Sequence, residues 1–170
     1  MIESDRIRLR PLTYKQLEKY VRNDNSLEKE LNLNFTSRTI SPELKEALEN
    51  TILPNVADTN KNYLFSTLWT VISKADNKMV GDICIIGEPN PDGEIEIGYG
   101  TYEEFRGKGY MTEAVKCIIK WAKTDSRVNS ILASTLKTNI ASFRVLEKNN
   151  FIKTGKTETL FSWRLTIKQK

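Results

Sequence analysis

Eleven consecutive residues constrain this chain more than any other stretch: Glu104-Phe105-Arg106-Gly107-Lys108-Gly109-Tyr110-Met111-Thr112-Glu113-Ala114. Gly107 and Gly109 stand between a strand-like run and a strongly helical one. Glycine opens positive-φ conformations and leaves main-chain N–H groups uncovered. A helix start carries four unpaired N–H donors and a partial positive charge, so the segment reads as a pyrophosphate cradle. Arg106 and Lys108 add fixed positive charge at the same place. The competing reading is an ordinary glycine-containing strand-to-helix turn, and a short glycine motif alone does not separate the two. Spacing excludes two commoner phosphate loops. No Gly-x-x-x-x-Gly-Lys-Ser/Thr run exists, and a Gly-x-Gly-x-x-Gly fingerprint fails because its third position is Thr112.

A chain of 170 residues is one domain by size, spanning 1–170 without a linker or repeat. A net charge of +4 without long like-charge blocks gives no indication of nucleic-acid binding and suits a polyanionic ligand. There is no histidine, which excludes His-based triads and His metal sites, and no metal is expected. Cys84 and Cys117 lack metal or redox spacing and read as buried thiols. The acidic start Met1-Ile2-Glu3-Ser4-Asp5 is not a signal peptide, and no run reaches the ~18 apolar residues of a membrane span. A cytoplasmic enzyme away from membranes is the expectation.

Periodicity lays out the rest. Arg6 to Arg10 alternates as a strand stopped by Pro11. Thr13 caps a helix to Val21, and a second helical stretch covers Ser26 to Leu33. Ser41 as N-cap with Pro42 starts a helix that should end at Leu53, before Pro54. Tyr63 to Ser73, Met79 to Gly87 and Glu94 to Thr101 read as strands. A helix to Asp125 follows the glycine loop, with Met111, Ala114, Val115, Ile118 and Ala122 inward and Lys116, Lys120 and Lys123 outward. Ser130 to Leu136 is a strand, Asn139 to Asn149 a helix, and Phe151 to Thr157 with Leu160 to Ile167 a closing hairpin. The order β-α-α-β-β-β-α-β-α-β-β predicts a mixed α/β sheet.

Arg106-Gly107-Lys108-Gly109-Tyr110-Met111 matches Arg/Gln-x-x-Gly-x-Gly/Ala except at Met111, and resembles the acetyl-CoA loop of the GNAT N-acetyltransferases. The element order is also theirs. Arg6 to Leu12, Glu96-Ile97-Gly98-Tyr99, Arg106 to Ala114 and Asn139 to Phe151 resemble, in order, four segments of the branch that acetylates the N-terminal amine of ribosomal proteins. Asn150 replaces a usual glycine, and asparagine tolerates left-handed backbone better than most residues.

The resemblance implies a GNAT fold. It has a mostly antiparallel sheet of about seven strands, flanking helices, and a splay between the fourth and fifth strands that takes the pantetheine arm. It implies cofactor contacts from Tyr99, Gly100 and Thr101, from Arg106, Gly107, Lys108, Gly109, Tyr110, Met111 and Thr112, and from Asn139 and Ser142. Asn139 also reads as a plain N-cap. Lys108, Arg144 and Lys148 are candidates for the adenosine 3′-phosphate. The reaction implied is direct attack of an amine on the thioester of acetyl-CoA, with a strand-four N–H as oxyanion donor. Glu96 is then the candidate base, or equally a strand carboxylate facing solvent or a lysine.

Leu146 stands where many of these enzymes have a tyrosine acid. Ser142, one turn earlier, is the substitute, or equally a residue bonding back to its own helix. Tyr14, Phe35, Trp69, Phe161 and Trp163 read as core rather than acceptor contacts, and Glu28, Glu30 and Glu94 either as carboxylates able to attract a cationic amine or as plain surface charges. The acceptor is a protein N-terminus or a small-molecule amine (polyamine, metabolite or antibiotic). A non-catalytic CoA-binding module is the rival, and a homodimer is possible.

Overall fold

The computed structural model describes residues 1–168. Alternation in Ile7-Arg8-Leu9-Arg10 buries Ile7 and Leu9 completely and leaves both arginines half-buried, so this run forms a strand with one face in the core. The strands are β1 (Ile2–Glu3), β2 (Ile7–Pro11), β3 (Leu68–Ser73), β4 (Lys78–Ile85), β5 (Glu94–Thr101), β6 (Ser130–Leu136), β7 (Ile152–Lys156) and β8 (Leu160–Thr166). They form one sheet in the order β1-β2-β3-β4-β5-β6-β8-β7. Only β5 and β6 run parallel. The eighth strand beyond the seven expected is the two-residue β1, too short to show a period.

Helices cover both faces. On one face lie α1 (Tyr14–Arg22), α2 (Ser26–Glu30), α3 (Pro42–Ala47) and α4 (Leu53–Ala57). On the other lie α5 (Tyr110–Ala122) and α6 (Ile140–Lys148). Thr13 and Gln16 close a reciprocal capping box at the start of α1, and Ser41 caps α3 through the Leu44 N–H. Pro54 does not end the helical run as expected. Residues Leu48–Ile52 widen into a π turn, where the Leu53 N–H bonds the Leu48 carbonyl, and α4 continues through Pro54. The wider turn absorbs the missing proline donor and relieves its clash with the preceding turn. The expected strand at Tyr63 begins only at Leu68, because Asn62 caps a 3₁₀ turn over Tyr63–Phe65. No helix among the described residues is long and apolar enough to cross a membrane.

The sheet opens where the site forms. β5 and β6 pair from Glu94↔Ser130 to Ile97↔Ala133 and then part. Beyond that point Gly98 to Thr101 pair with β4 alone, and Ser134 to Leu136 with β8 alone. One main-chain edge of β5 is therefore left without a strand partner over its last four residues.

Candidate active site

The glycine loop adopts the geometry its composition demands. Gly107 and Gly109 sit at φ +74 and +80, and Gly109 is the N-cap of α5. Among the described residues no acceptor meets the amides of Gly107 through Thr112. Gly107 and Gly109 to Thr112 line a cleft of about 570 Å³ that also takes in Tyr99 to Thr101, Asn139, Ser142, Arg144 and Lys148. Uncovered amides, a helix N-terminus and nearby cations fit a pyrophosphate. The unpaired edge of β5 leads directly into the same cleft.

Met111, the departure from the glycine pattern, sends its side chain into the core, where it is 4% exposed and its Cε lies 3.1 Å from where a Cβ on Gly81 would stand. Its bulk is thus taken up beneath the loop by a glycine in β4, not in the cradle. Tyr110 turns its hydroxyl toward Ser73 and Asp76 at the β3–β4 turn. Lys108 does not line the cleft. Its ammonium stacks 5.2 Å over Phe105, and its carbonyl accepts from Arg6. Arg106 donates to the Thr101 carbonyl at 3.3 Å.

Two long-range clamps that sequence reasoning missed hold the cradle. Arg6 donates to Glu113 at 2.8 Å and to the Lys108 carbonyl at 3.1 Å, and Ser4 also donates to Glu113. Glu113 loses some carboxylate character to burial, but the bonds from Ser4 and Arg6 win and hold its pKa below the usual value. Buried Asn149 donates to the Thr112 carbonyl at 3.0 Å and to Val145, tying the end of α6 to the start of α5. Next to it Asn150 takes φ +64, the conformation usually left to glycine.

Asn139 is the N-cap of α6, its Oδ1 accepting from the Ser142 N–H at 3.2 Å. Ser142 lines the cleft. Its hydroxyl makes no bond to a described residue, and its carbonyl accepts from Tyr99 at 3.1 Å. Burial pushes the Tyr99 phenol up to about 12, with the bond to Ser142 opposing. Leu146 is completely buried. Glu96 lies in the paired part of β5, accepts from Ser134 at 3.2 Å and lines neither cavity.

A second cavity of about 740 Å³ opens on the opposite face, between β4, β5 and the segment leading to α3. Tyr99, Gly100, Thr101 and Arg106 line both cavities, so the last residues of β5 form the partition. The carboxylates expected to attract an amine are committed elsewhere. Glu28 is buried against Arg38, Glu30 pairs with Lys19 and Gln16, and Glu94 pairs with Arg164 at 2.5 Å. Trp69 and Trp163 are core, and Phe161 packs on Phe143. Tyr14 and Phe35, read as core, are exposed at 40% and 60%. Each stands near a helix end or in a loop, where periodicity carries no facing information.

The chain is 28% identical to YjdG, an uncharacterized N-acetyltransferase of Bacillus subtilis (strain 168), over 163 residues and 96% of each chain. Among solved structures it resembles RimL, a ribosomal L7/L12 alpha-N-protein acetyltransferase, with a TM-score of 0.69 at 16% identity over 98% of this chain and 96% of that one. It also resembles the Vibrio cholerae spermidine N-acetyltransferase in complex with CoA and spermine, with a TM-score of 0.65 at 14% identity over 96% of each. Both structures share its fold. Residues 6–152 match the sequence model of the acetyltransferase (GNAT) domain, and with the open β5 edge and the glycine cradle already in view, the chain belongs to the GNAT family of acetyltransferases.

Proposed function

We propose that this enzyme transfers the acetyl group of acetyl-CoA to a primary amine, with the α-amine of a protein N-terminus as the leading acceptor. The observation that carries the reading is the unpaired edge of β5, which runs between two cavities and ends at the uncovered amides of Gly107 to Thr112. Likeness to an N-terminal acetyltransferase and to a polyamine acetyltransferase that binds CoA supports amine acetylation in general. It leaves a polyamine as the second acceptor class.

Acetyl-CoA supplies a thioester carbonyl activated for attack. In this reading the amides of residues 107 to 112 hold its diphosphate, and Arg144 and Lys148 lie at the same cleft for the outer phosphate. Asn139 keeps its side-chain amide donor for the cofactor while its oxygen caps α6. The main chain of Gly98 to Thr101 pairs with the pantetheine arm and offers an N–H to the developing oxyanion, the position where a preformed donor lowers the barrier most. Ser142 hydrogen-bonds the departing sulfur. Tyr99, bonded to the Ser142 carbonyl and raised in pKa, braces α6 against β5 and keeps that hydroxyl in place. Glu96 serves as base only through water, since its carboxylate lies outside both cavities.

The test is thiol release from acetyl-CoA with N-terminal peptides, polyamines and aminoglycosides, run beside Gly109→Glu. Turnover with one amine class, lost in the variant, supports the reading. Tight acetyl-CoA binding without turnover for any amine favours a CoA-binding module instead.

A further inference from the structure

Asp82 in β4 faces the second cavity, across the end of β5 from the glycine loop. It is only 7% exposed, an unusual place for a carboxylate. Oδ2 accepts from the hydroxyls of Tyr20 and Tyr102, each at 2.6 Å. Oδ1 is buried and has no hydrogen bond. Thr70, opposite Asp82 in the β3–β4 register, is near enough to favour the carboxylate, but among the described residues its hydroxyl and Oδ1 do not meet in hydrogen-bond geometry.

The one buried cation nearby does not touch the carboxylate. Arg38 is committed to Glu28 and the Tyr20 carbonyl, and its guanidinium stacks 4.6 Å over the Tyr20 ring. Burial pushes the Asp82 pKa up, while Tyr102, Tyr20, Arg38 and Thr70 pull it back. A buried carboxylate with a vacant acceptor and no cation in contact is destabilising, and such groups concentrate at sites of function. The rest of the cavity points the same way. Exposed Glu103 and Glu104 stand at its mouth, and its other cation, Arg106, is turned onto the Thr101 carbonyl. A positively charged molecule entering there moves from rim carboxylates toward a buried one.

We propose that the Asp82 carboxylate is the ammonium-binding group of this cavity, held in place by Tyr20 and Tyr102 through Oδ2. The assignment rests on the acetyl-transfer reading of the same cavity and names the charge state in which the acceptor arrives. The ammonium is either the one that will be acetylated or a second one on the same molecule.

Calorimetric titration of the CoA-saturated protein near neutral pH tests this with two probes, the tripeptide amide Ala-Ala-Ala and 1,4-diaminobutane. At least one probe binds wild type, and Asp82→Asn weakens it by about tenfold or more, as expected for loss of a charge-assisted hydrogen bond. CoA affinity and melting temperature do not fall in that variant, because a neutral amide is cheaper to bury. A merely structural Asp82 would lower the melting temperature and leave probe binding intact.

Loss of tripeptide binding assigns the α-ammonium, and loss confined to the diamine assigns a second ammonium. Tyr102→Phe gives a readout independent of Asp82→Asn folding. It removes a donor from the carboxylate, raises the Asp82 pKa, and moves the acid limit of probe binding to higher pH. Binding of both probes by Asp82→Asn as in wild type, binding of neither by wild type, or an unmoved limit in Tyr102→Phe overturns the proposal. Thiol release in the same samples keeps the two readings apart. Turnover with an unchanged KM in Asp82→Asn overturns the ammonium site alone, whereas Asp82-dependent binding without turnover overturns acetyl transfer alone.

Discussion

Gly107→Ala and Gly109→Ala look equivalent in the sequence and differ in the structure. Both positions have positive φ, where an L side chain costs ~1–2 kcal/mol. Alanine also stiffens the unfolded chain, which returns ~0.4–1 kcal/mol. A Cβ on Gly107 meets nothing within 4 Å, so Gly107→Ala should cost about 1 kcal/mol net. A Cβ on Gly109 lies 3.2 Å from Arg6 Nη2, a guanidinium pinned by Glu113 and the Lys108 carbonyl. The Arg6 side chain is 51% exposed, so displacing its bonds adds only ~0.5–1 kcal/mol. Gly109→Ala should then cost ~1.5–2 kcal/mol, a fall in melting temperature of about 3–8 °C for a chain of this size.

Thermal melts of both variants, in wild-type and Arg6→Ala backgrounds, form a double-mutant cycle. The excess cost of Gly109→Ala over Gly107→Ala should vanish without Arg6. Gly100→Ala, with no positive φ and open space around its Cβ, is the neutral control. Equal costs at 107 and 109, or an excess that survives removal of Arg6, refute the reasoning.

Further outcomes follow from other contacts. Glu28→Gln should lower stability by ~3–5 kcal/mol because it strands buried Arg38, whereas replacing both partners with apolar residues should recover most of that loss in thermal melts. Leu146→Tyr should not restore a proton donor. Leu146 is completely buried, so the larger ring should cost ~1–3 kcal/mol by overpacking without raising kcat in a thiol-release assay. Glu113 has a lowered pKa in the folded state, so its stabilisation is present above its unfolded value near ~4.3 and is lost as pH falls through the lower folded value. Glu113→Gln should therefore melt below wild type at neutral pH, with the gap closing only in acid; a gap unchanged by pH would sink that assignment.

Local chemistry made much of the fold readable. Thr13 and Ser41 are caps, Glu94 to Thr101 and Ser130 to Leu136 are strands with the bounds their alternation suggests, and Asn150 accepts the left-handed turn. The glycine turn ahead of α5 was legible because its conformational demands lie within six residues. What escaped is non-local or breaks a local rule. Pro54 sits inside a helical run because a π turn precedes it, and no sequence signal marks that turn. Glu28 reads as a surface charge until Arg38, ten positions on, folds over it. Nothing in the sequence singles out Asp82, since Tyr20 is 62 positions away and Tyr102 is 20. For Glu28 and Asp82 the deciding partner arrives through topology, which periodicity does not encode.

The Arg6 clamp alters what cofactor binding would measure. The glycine loop is tied down by contacts between residues 102 and 107 positions apart, which form when the first strands dock on α5. Closing loops that long delays folding and places these contacts among those that require the finished topology. A ligand held there selects the completed molecule over partly assembled ones. Its binding free energy is then added to the stability of the whole chain, by about 2.7 kcal/mol at a hundredfold excess over Kd. The same clamp that shapes the loop would thereby let occupancy of the cleft report on the integrity of strands far from it in sequence.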